Sequence, residues 1–314
     1  ISHLNQSGAP KELCKLLWNL MHTRKNNYEL NGEIIGRRTS HVGLAQGLPL
    51  SPMEYNLATN LLEECLEQGV SCIQLADDII IYCATKDIKE AERKLNESIK
   101  KLVSQVAKIG LNYSKAKSEC IVFSRKHQDT QISIRIDSQI IKQVTEVRYL
   151  GIIVDRKLLM TSHINNVATA GNKILNVMRS TAGVRWGADP TCLDLLYKAI
   201  SRSRMEFCPF VYPQNKSILK LERIQWRACR IISGCMKSTP TNALEILTGL
   251  PPLDIRFEKL NYKFACIVKS QPRHPLNQKL LSLKNMGVFF LDFEVTQNLY
   301  QFQNFPYFSQ NEWN

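Results

Sequence analysis

Two short apolar runs that flank an acidic pair constrain the fold of this chain more than any other feature of its sequence. Residues 71–75 and 79–83 are rich in β-branched and apolar side chains, and Ala76-Asp77-Asp78 lies between them. Runs of this length and composition predict the two strands of a β-hairpin with the carboxylates at its tip. Adjacent carboxylates repel each other and lose hydration, so this tip needs either water or a cation beside it.

Two interpretations of the acidic pair stay open on these residues alone. Magnesium takes oxygen ligands and is typically shared between one or two carboxylates and substrate phosphates. Two such ions can activate an attacking hydroxyl and stabilise a leaving oxygen in nucleotidyl transfer. Aspartate is also a common turn residue, because it tolerates turn geometry and bonds its own backbone. The pair by itself therefore indicates a turn as readily as it indicates a metal site.

A glycine-rich loop precedes the hairpin. Residues 43–50 contain too much Gly and Pro to form a helix or a central strand. Ser51 is expected to cap the helix that follows, with Pro52 in its first turn and Glu54 completing a capping box. The helix is expected to reach about Gln68, which would hold the loop rigidly against a helix start.

The remaining patterns predict an α+β domain followed by an all-helical one. Apolar residues at helical spacing predict further helices at 11–22, 89–109, 163–181, 191–205 and 216–235. Strands are expected on either side of an Asn31-Gly32 turn and at 119–124, 132–136 and 144–154. Gly151, inside the last of these, marks a bulge or a close approach by another backbone. Only helices are expected after Asp155.

The chain is basic, and its charge is concentrated in the helical part. Lys and Arg number 41 against 28 Asp and Glu, and the net charge of +13 favours a polyanionic partner such as nucleic acid or an acidic membrane surface. Residues 161–270 alone hold 16 Lys and Arg against 7 Asp and Glu. Five basic residues recur at steps of four and three along one helix face: Lys216, Lys220, Arg223, Arg227 and Arg230. Another face is apolar: Leu221, Ile224, Ala228, Ile231 and Cys235.

This basic stripe has two readings. It would track a phosphate backbone without reading base sequence, or it is simply a solvated helix face. Trp226 beside it either stacks on a ligand or packs against the protein.

Composition indicates a soluble intracellular protein. The longest apolar run is far shorter than the roughly 20 residues of a membrane span, and no signal-peptide pattern opens the chain. The ten cysteines are scattered singly, without the paired spacing of a zinc site. They are expected to be small buried hydrophobic residues in a reducing compartment.

Five blocks stand along the chain in a fixed order. The glycine loop reads Gly43-Leu44-Ala45-Gln46-Gly47-Leu48-Pro49-Leu50-Ser51-Pro52, followed by Tyr55-Asn56, and the acidic block reads Leu75-Ala76-Asp77-Asp78. The later blocks are Gly110-Leu111 with Lys117, Ser118 and Glu119; Tyr149-Leu150-Gly151 with Asp155 and His163; and Trp186-Gly187, Leu196-Tyr197 and Thr239-Pro240 through Leu250-Pro251-Pro252-Leu253. Together they resemble the conserved blocks of the reverse transcriptases of non-LTR (LINE-like) retrotransposons, particularly the Jockey-like group. The likeness covers residues 1 to about 270.

The resemblance implies an α+β fold of the right-hand polymerase type. Residues 1–155 would be the fingers and palm with an antiparallel sheet, incomplete at the N-terminus, residues 156–270 an all-α thumb, and residues 271–314 a tail of unknown role. The implied activity is that of an RNA-directed DNA polymerase, which copies an RNA template by extending the 3′ hydroxyl of a DNA primer with deoxynucleoside triphosphates. Its implied cofactor is Mg²⁺, with Mn²⁺ as an alternative. No membrane is implied as a partner.

The same resemblance implies roles for individual residues. Asp77 would bind the catalytic metals, with Asp78 assisting. The pocket for template and incoming nucleotide would be formed by Gln46, Gly47, Ser51, Pro52 and Lys117. The hairpin that grips the primer end would contain Tyr149, Leu150 and Gly151. The duplex would be held by the basic stripe of the thumb, Lys216, Lys220, Arg223, Arg227 and Arg230.

Two departures from the family pattern bear on activity. Leu75 replaces the aromatic residue that helps to pack the hairpin beneath the primer terminus, either as a tolerated apolar swap or as a sign of decay. The family's first catalytic aspartate is expected upstream of the helix with which this chain begins, which leaves two of three carboxylates. The 314-residue chain is therefore expected to polymerise little or not at all.

Other functions remain as alternatives. A non-catalytic nucleic-acid-binding remnant of such a protein is the first. An unrelated magnesium-dependent transferase would require the glycine loop and the block at Tyr149 to be coincidences. The nucleus and the cytoplasm are the expected locations of a protein from such an element.

Overall fold

The chain forms two compact units of mixed helix and strand. The computed structural model describes residues 8–22, 24–41, 43–124, 131–183, 187–212 and 216–277. One unit comprises residues 1–122 and 126–144, and the other comprises 123–125 and 145–314. The expected α+β class is confirmed. The tail expected from 271 lies outside the described residues beyond 277, as does Trp186 of the thumb resemblance.

The first unit begins with a helix and a hairpin, both as expected. Helix α1 is Lys11–His22, and strands β1 (Arg24–Leu30) and β2 (Glu33–Ser40) pair antiparallel. Asn31 and Gly32 form the turn with φ of 53° and 85°. Positive φ at both central positions is the type I′ geometry, which Asn-Gly adopts at little cost.

The rest of the first unit surrounds one long amphipathic helix. Its elements are α2 (Ser51–Thr59), a 3₁₀ helix (Asn60–Cys65), β3 (Val70–Leu75), β4 (Asp78–Cys83), α3 (Ile88–Lys108), β5 (Glu119–Ile121), β6 (Arg135–Ile136), β7 (Gln139–Ile140) and β8 (Lys142–Val144). Helix α3 ends at Lys108 with Ile109 as its C-cap, and Gly110 follows with a φ of 75°, which suits glycine. A small core of Leu62, Leu102 and Val106 lies between α3, the 3₁₀ helix and β4. Many apolar side chains stay exposed, among them Ile73 at 46% and Leu75 at 54%.

Three local expectations for this unit differ from the structure. Antiparallel strand pairs are present, as expected, in β1–β2, β3–β4 and β6–β7, but the described strands make separate two-stranded pairs, and β5 runs parallel to β8. The expected strands at 119–124 and 132–136 are shorter. Helix α2 ends at Thr59 rather than near Gln68, since the Thr59 hydroxyl donates back to the Tyr55 carbonyl and the chain tightens into the 3₁₀ helix.

The second unit has the larger core. It contains β9 (Glu146–Tyr149), β10 (Ile152–Asp155), α4 (Thr161–Thr181), α5 (Pro190–Leu196), a π-helical segment (Tyr197–Arg202), α6 (Ser203–Met205), a 3₁₀ turn (Pro209–Val211), α7 (Lys216–Ser233), α8 (Thr241–Thr248) and α9 (Leu253–Ser270). Helices α4 and α7 pack closely, since a Cβ added at Gly171 would lie 3.1 Å from Ile224 Cγ2. Fully buried side chains such as Leu221, Leu244 and Leu253 fill the centre.

The two units divide after Val144, eleven residues before the division expected after Asp155. Residues 144–154 do not form a single strand with a bulge at Gly151. They contain the end of β8 and the hairpin β9–β10, in which Leu150 and Gly151 are the turn. Ile152 and Val154 of this hairpin pack against the helical core, so the hairpin belongs to the second unit. After Asp155 the described regular elements are all helices, as expected.

The second unit also buries charged and polar groups. Glu206 lies between two arginines: its Oε1 accepts from Arg202 Nε at 2.6 Å and from Arg256 Nε at 2.8 Å, and its Oε2 accepts from Arg256 Nη2 at 2.8 Å. The Tyr197 hydroxyl donates to Gln225 Oε1 at 3.2 Å, and Gln225 donates to the Pro251 carbonyl at 2.8 Å. These bonds join the π-helical segment, α7 and the start of α9.

His163, at the start of α4, gives this unit a predicted pH dependence. The ring is 3% exposed, its Nδ1 accepts from the Ile153 amide at 3.4 Å, and it stacks on Tyr212. Nε2 is buried and has no hydrogen-bond partner among the described residues. Burial, and then the positive charge of Arg148, lower the pKa of His163 below its usual value.

We expect the free energy of unfolding to fall on acidification because of this histidine. The unfolded state takes up a proton near pH 6.5 and the folded state only at lower pH, so the stability present above about pH 6.5 is lost between the unfolded and the folded pKa. Urea unfolding at about pH 7.5 and about pH 5.5 measures the effect. The variant His163→Gln should show a smaller pH dependence than the parent, and equal dependence in both would contradict the assignment.

The helices give no sign of a membrane span. Over the described part of the chain, none of them combines the length and the apolar character needed to cross a bilayer.

All ten cysteines are free thiols, but only Cys14 and Cys229 are buried. The expectation that the cysteines are buried hydrophobic residues therefore holds for few of them.

Candidate functional site

The acidic pair lies at a tight turn between β3 and β4. Leu75 pairs with Asp78, so the turn consists of two residues, Ala76 and Asp77, and Asp78 is already the first residue of β4. The expected three-residue tip is thus one residue shorter. Ala76 has a φ of 51°, a left-handed conformation that costs about 1 kcal/mol for a residue with a Cβ. Both carboxylates are exposed, one on the turn and one on the strand.

A hydrogen-bonded clamp, anchored on the buried Thr59, ties this turn to helix α2. Gln74 donates from its side-chain amide to the Thr59 hydroxyl at 2.7 Å and to the Ala76 carbonyl at 3.2 Å. Thr59 is 1% exposed and passes the interaction on by donating to the Tyr55 carbonyl at 2.9 Å. Two polar side chains therefore fix the turn backbone next to Asp77. The sequence signal for them is weak, because Gln74 is one of two polar residues, with Ser71, in a mainly apolar strand.

Tyr55 of α2 lies within electrostatic reach of the acidic turn. Burial, and then the negative charge of Asp77, raise the pKa of the Tyr55 hydroxyl above its usual value. The phenol is therefore protonated at neutral pH. Helix α2 thus brings a neutral hydroxyl into the neighbourhood of the Asp77 carboxylate.

The glycine loop is held against the start of α2, but not by the expected cap. Leu50 occupies the cap position without a side-chain cap bond, and the Glu54 amide donates to the Leu50 carbonyl at 3.0 Å. The capping-box expectation is therefore wrong. The Ser51 hydroxyl instead donates back to the Ala45 carbonyl at 2.5 Å. This bond spans the turn at Gln46 and Gly47, where Gly47 has a φ of 87°.

The other predicted pocket residues lie in the same unit. Pro52 is exposed in the first turn of α2, as expected from its fixed φ. Lys117 is exposed in a 3₁₀ turn, Lys115–Lys117. Asp137 holds this turn in place. Its Oδ2 forms an ion pair with Lys115 Nζ at 2.6 Å and accepts a hydrogen bond from the Tyr113 hydroxyl at 2.7 Å.

The block at Tyr149 forms a tight hairpin in the second unit. Tyr149 pairs with Ile152, and the turn residues Leu150 and Gly151 have φ of 46° and 87°. This is again type I′ geometry, but with leucine where Asn or Gly is preferred. Asp155 closes the following loop, as its carboxylate accepts from the amides of Lys157, Leu159 and Met160.

The basic stripe on α7 is divided by the structure. Lys220, Arg223 and Arg227 are exposed, whereas Arg230 is half-buried and donates to the carbonyls of Trp226 and Thr239. The Lys216 side chain lies outside the described residues. Trp226 is half-buried, and its indole N–H donates to Glu245 Oε1 at 2.9 Å, so it packs within the unit. The opposite face is buried or packed on the core, as expected: Leu221, Ile224, Ala228, Ile231 and Cys235.

The acidic pair is the candidate metal site, and it offers two carboxylates. Within the described ranges, no group of three or more His, Cys, Asp or Glu side chains is arranged to hold a metal ion. Two exposed, adjacent carboxylates on a fixed turn fit an ion that takes one or two protein carboxylates and completes its shell with water and substrate phosphates. They do not fit a closed structural site.

Comparison with known proteins gives one family and a set of distant relatives. Residues 1–154 match the family model described as reverse transcriptase (RNA-dependent DNA polymerase). A retrovirus-related Pol polyprotein from type-1 retrotransposable element R1 2 of Nasonia vitripennis is 24% identical over 68% of this chain and 54% of its own length. A protein named RNA-directed DNA polymerase from mobile element jockey, of Drosophila funebris, is 22% identical over 83% of this chain and 29% of its own length. The chain thus spans about half of the first relative and less of the second.

Proposed function

Residues 1–154 belong to the reverse transcriptase family, and from that premise we propose that the acidic turn of this chain is the metal-binding centre of an RNA-directed DNA polymerase of a non-LTR retrotransposon protein. The observation that carries the proposal is the clamp that fixes the Asp77 turn to α2 through Gln74 and Thr59. Because Thr59 is buried in α2, the clamp holds the backbone beside Asp77 in one conformation, as a preorganised metal site requires.

The proposed cofactor is Mg²⁺, with Mn²⁺ as an alternative, bound by Asp77 with help from Asp78. When bound, the metal would lower the pKa of the primer 3′ hydroxyl and neutralise charge on the triphosphate. The chain itself supplies two carboxylates in a fixed backbone conformation, so little reorganisation is needed at the moment of reaction. The protonated Tyr55 adds a hydrogen-bond donor near Asp77 without adding a charge.

The remaining residues have proposed roles in binding. The turn at Gln46 and Gly47, held by Ser51 and followed by Pro52, would contact template and incoming nucleotide, and Lys117 would contact the triphosphate. In the second unit, Tyr149, Leu150 and Gly151 would grip the primer end. The exposed part of the basic stripe would hold the template and primer backbones, which are an RNA strand and a DNA strand. We propose fingers and palm for the first unit and a thumb for the second.

Primer extension tests the proposed function. On poly(rA) with an oligo(dT) primer, deoxythymidine triphosphate and Mg²⁺, we expect the 314-residue chain to extend the primer slowly. The expectation of low activity rests on the acidic centre, where the described residues bring together two carboxylates, and two carboxylates hold two ions less firmly than three. Extension should stop on chelation and return with Mg²⁺ or Mn²⁺. Extension at the rate of an ordinary polymerase, on the order of 10 per second, would contradict the two-carboxylate centre.

A second candidate function is non-catalytic nucleic-acid binding. It is favoured by the three exposed basic side chains of α7 and by the absence, over the described ranges, of a third carboxylate beside the acidic pair. This candidate predicts binding that falls steeply with salt and does not change with Mg²⁺. Metal-dependent extension, however slow, would rule it out as the whole function.

A further inference from the structure

The seam between helices α4 and α7 repeats one hydrogen-bonded contact at an interval of seven residues. Lys220 Nζ donates to Asn165 Oδ1 at 2.5 Å, and Arg227 Nη1 donates to Asn172 Oδ1 at 3.2 Å. All four side chains belong to exposed residues. Gly171 permits the close packing that brings the two helices within reach, since a Cβ there would crowd Ile224. Each cation is therefore held by an amide oxygen on the neighbouring helix.

The charges along this seam are not neutralised. Within the described part of the chain, Lys220, Arg223 and Arg227 have no carboxylate at ion-pair distance. Other helical cations of this protein do have one, for example Lys198 with Asp194 and Arg93 with Glu97, at 2.6 and 2.9 Å. An amide oxygen orients a cation as a carboxylate does, but it carries no net charge and leaves the positive potential intact.

We propose that Asn165 and Asn172 are positioning residues that hold Lys220 and Arg227, with Arg223 between them, as a row of cations for the phosphates of one nucleic-acid strand. This inference rests on the proposed function, which assigns nucleic acid to the basic stripe. Seven residues of α-helix extend about 10.5 Å along the axis. One strand of a duplex carries a phosphate about every 3.4 Å of axis, so the row of three cations spans about three phosphate steps and each cation can contact a phosphate.

Replacing both asparagines by aspartate tests whether the neutral side chain matters. In Asn165→Asp/Asn172→Asp the oxygen that holds each cation remains, but two cations become ion pairs. A plot of log affinity against log salt has a negative slope, and its magnitude is called the slope below. We expect this magnitude to be smaller by about 1.8 in the variant, because each lost phosphate contact removes about 0.9. Fluorescence anisotropy of the full chain with a labelled RNA–DNA hybrid, between about 50 and 200 mM KCl, measures this slope.

A matched control distinguishes the effect of charges placed in the seam from the effect of a lower net charge of the protein. Asn27→Asp/Asn242→Asp introduces the same two charges at exposed positions outside the seam and should leave the slope almost unchanged. Asn165→Ala/Asn172→Ala removes the acceptors and keeps the cations, so affinity should fall a few-fold at every salt concentration with the slope retained. Thermal unfolding of all variants checks that the helices are intact.

A triple variant distinguishes this inference from the function on which it rests. Lys220→Ala/Arg223→Ala/Arg227→Ala should lower the slope by about 2.7. If this variant does so while the Asp pair behaves like its control, the stripe binds nucleic acid and the positioning role of Asn165 and Asn172 is wrong. If neither lowers the slope, the stripe does not bind nucleic acid, and both the binding role proposed for the stripe and the positioning role of the two asparagines are wrong. The acidic centre is tested separately, by metal-dependent primer extension.

Discussion

Replacing Asp77 by asparagine is expected to slow primer extension at least about 100-fold. The substitution keeps the shape of the side chain and its fit to the turn, but removes the charge that would bind the metals. Metal ions would stabilise the charged oxygens of the transition state by several kcal/mol, and losing that stabilisation slows the reaction by about two or more powers of ten. Primer extension on poly(rA) and oligo(dT), followed over long incubations, measures the loss.

Two further measurements keep this prediction decisive. The affinity for Mn²⁺, read from the spectrum of the free ion in the presence of primer–template and nucleotide, should fall at least about 10-fold in Asp77→Asn. The variant Asp87→Asn is the control, because Asp87 is also an exposed aspartate of the first unit and caps α3 by accepting from the Lys89 amide at 3.0 Å, a role that asparagine fills as well. Equal extension and equal Mn²⁺ affinity in Asp77→Asn and Asp87→Asn would remove the acidic turn from the proposed mechanism.

Replacing Glu206 by alanine should destabilise the second unit by about 3 kcal/mol. The substitution leaves Arg202, whose side chain is only 8% exposed, without its carboxylate, and a buried charge that loses its partner costs about 3 to 5 kcal/mol. Glu206 itself is 18% exposed, so the lower end of that range applies. Loss of the link to Arg256 also frees the start of α9. Urea unfolding followed by circular dichroism measures the change.

The surface pair Lys198–Asp194 provides the comparison for Glu206. Lys198 is 45% exposed, and Lys198→Ala should cost no more than about 0.5 kcal/mol. Glu206→Gln should fall between the two, because it retains an acceptor oxygen and loses the charge. A Glu206→Ala variant as stable as Lys198→Ala would mean that water replaces the carboxylate around Arg202.

The regular elements followed from sequence wherever one local pattern dominates. The Asn31-Gly32 turn, the strands on either side of the acidic pair and the helix ended by Gly110 each depend on neighbouring residues, and all three are present. The two faces of α7 were equally clear, because basic and apolar residues alternate at helical spacing. The acidic pair was located correctly to within one residue of its turn.

What the sequence did not reveal depends on contacts between distant segments. The parallel pairing of β5 with β8 and the clamp between Thr59 and Gln74 join residues that are 15 or more positions apart. The local residue pattern placed 144–154 in one strand because leucine gives no signal for positive φ, and only the family resemblance implied a hairpin at Leu150 and Gly151. The side chains of Ser51 and Asn165 could each bond several partners. Only the packing of the folded chain selects the Ala45 carbonyl for Ser51 and the Lys220 ammonium for Asn165.

The positive φ values at Ala76 and Leu150 have a consequence for engineering this protein. Replacing such residues by Gly or Asn is an obvious way to raise thermal stability. The substitution relieves the backbone strain of a positive φ and disturbs little side-chain packing. Both residues, however, occupy the turns of the two hairpins to which metal and primer are assigned. We expect stabilising substitutions there to trade activity for melting temperature, so a stabilised version of this chain should be sought at other positions.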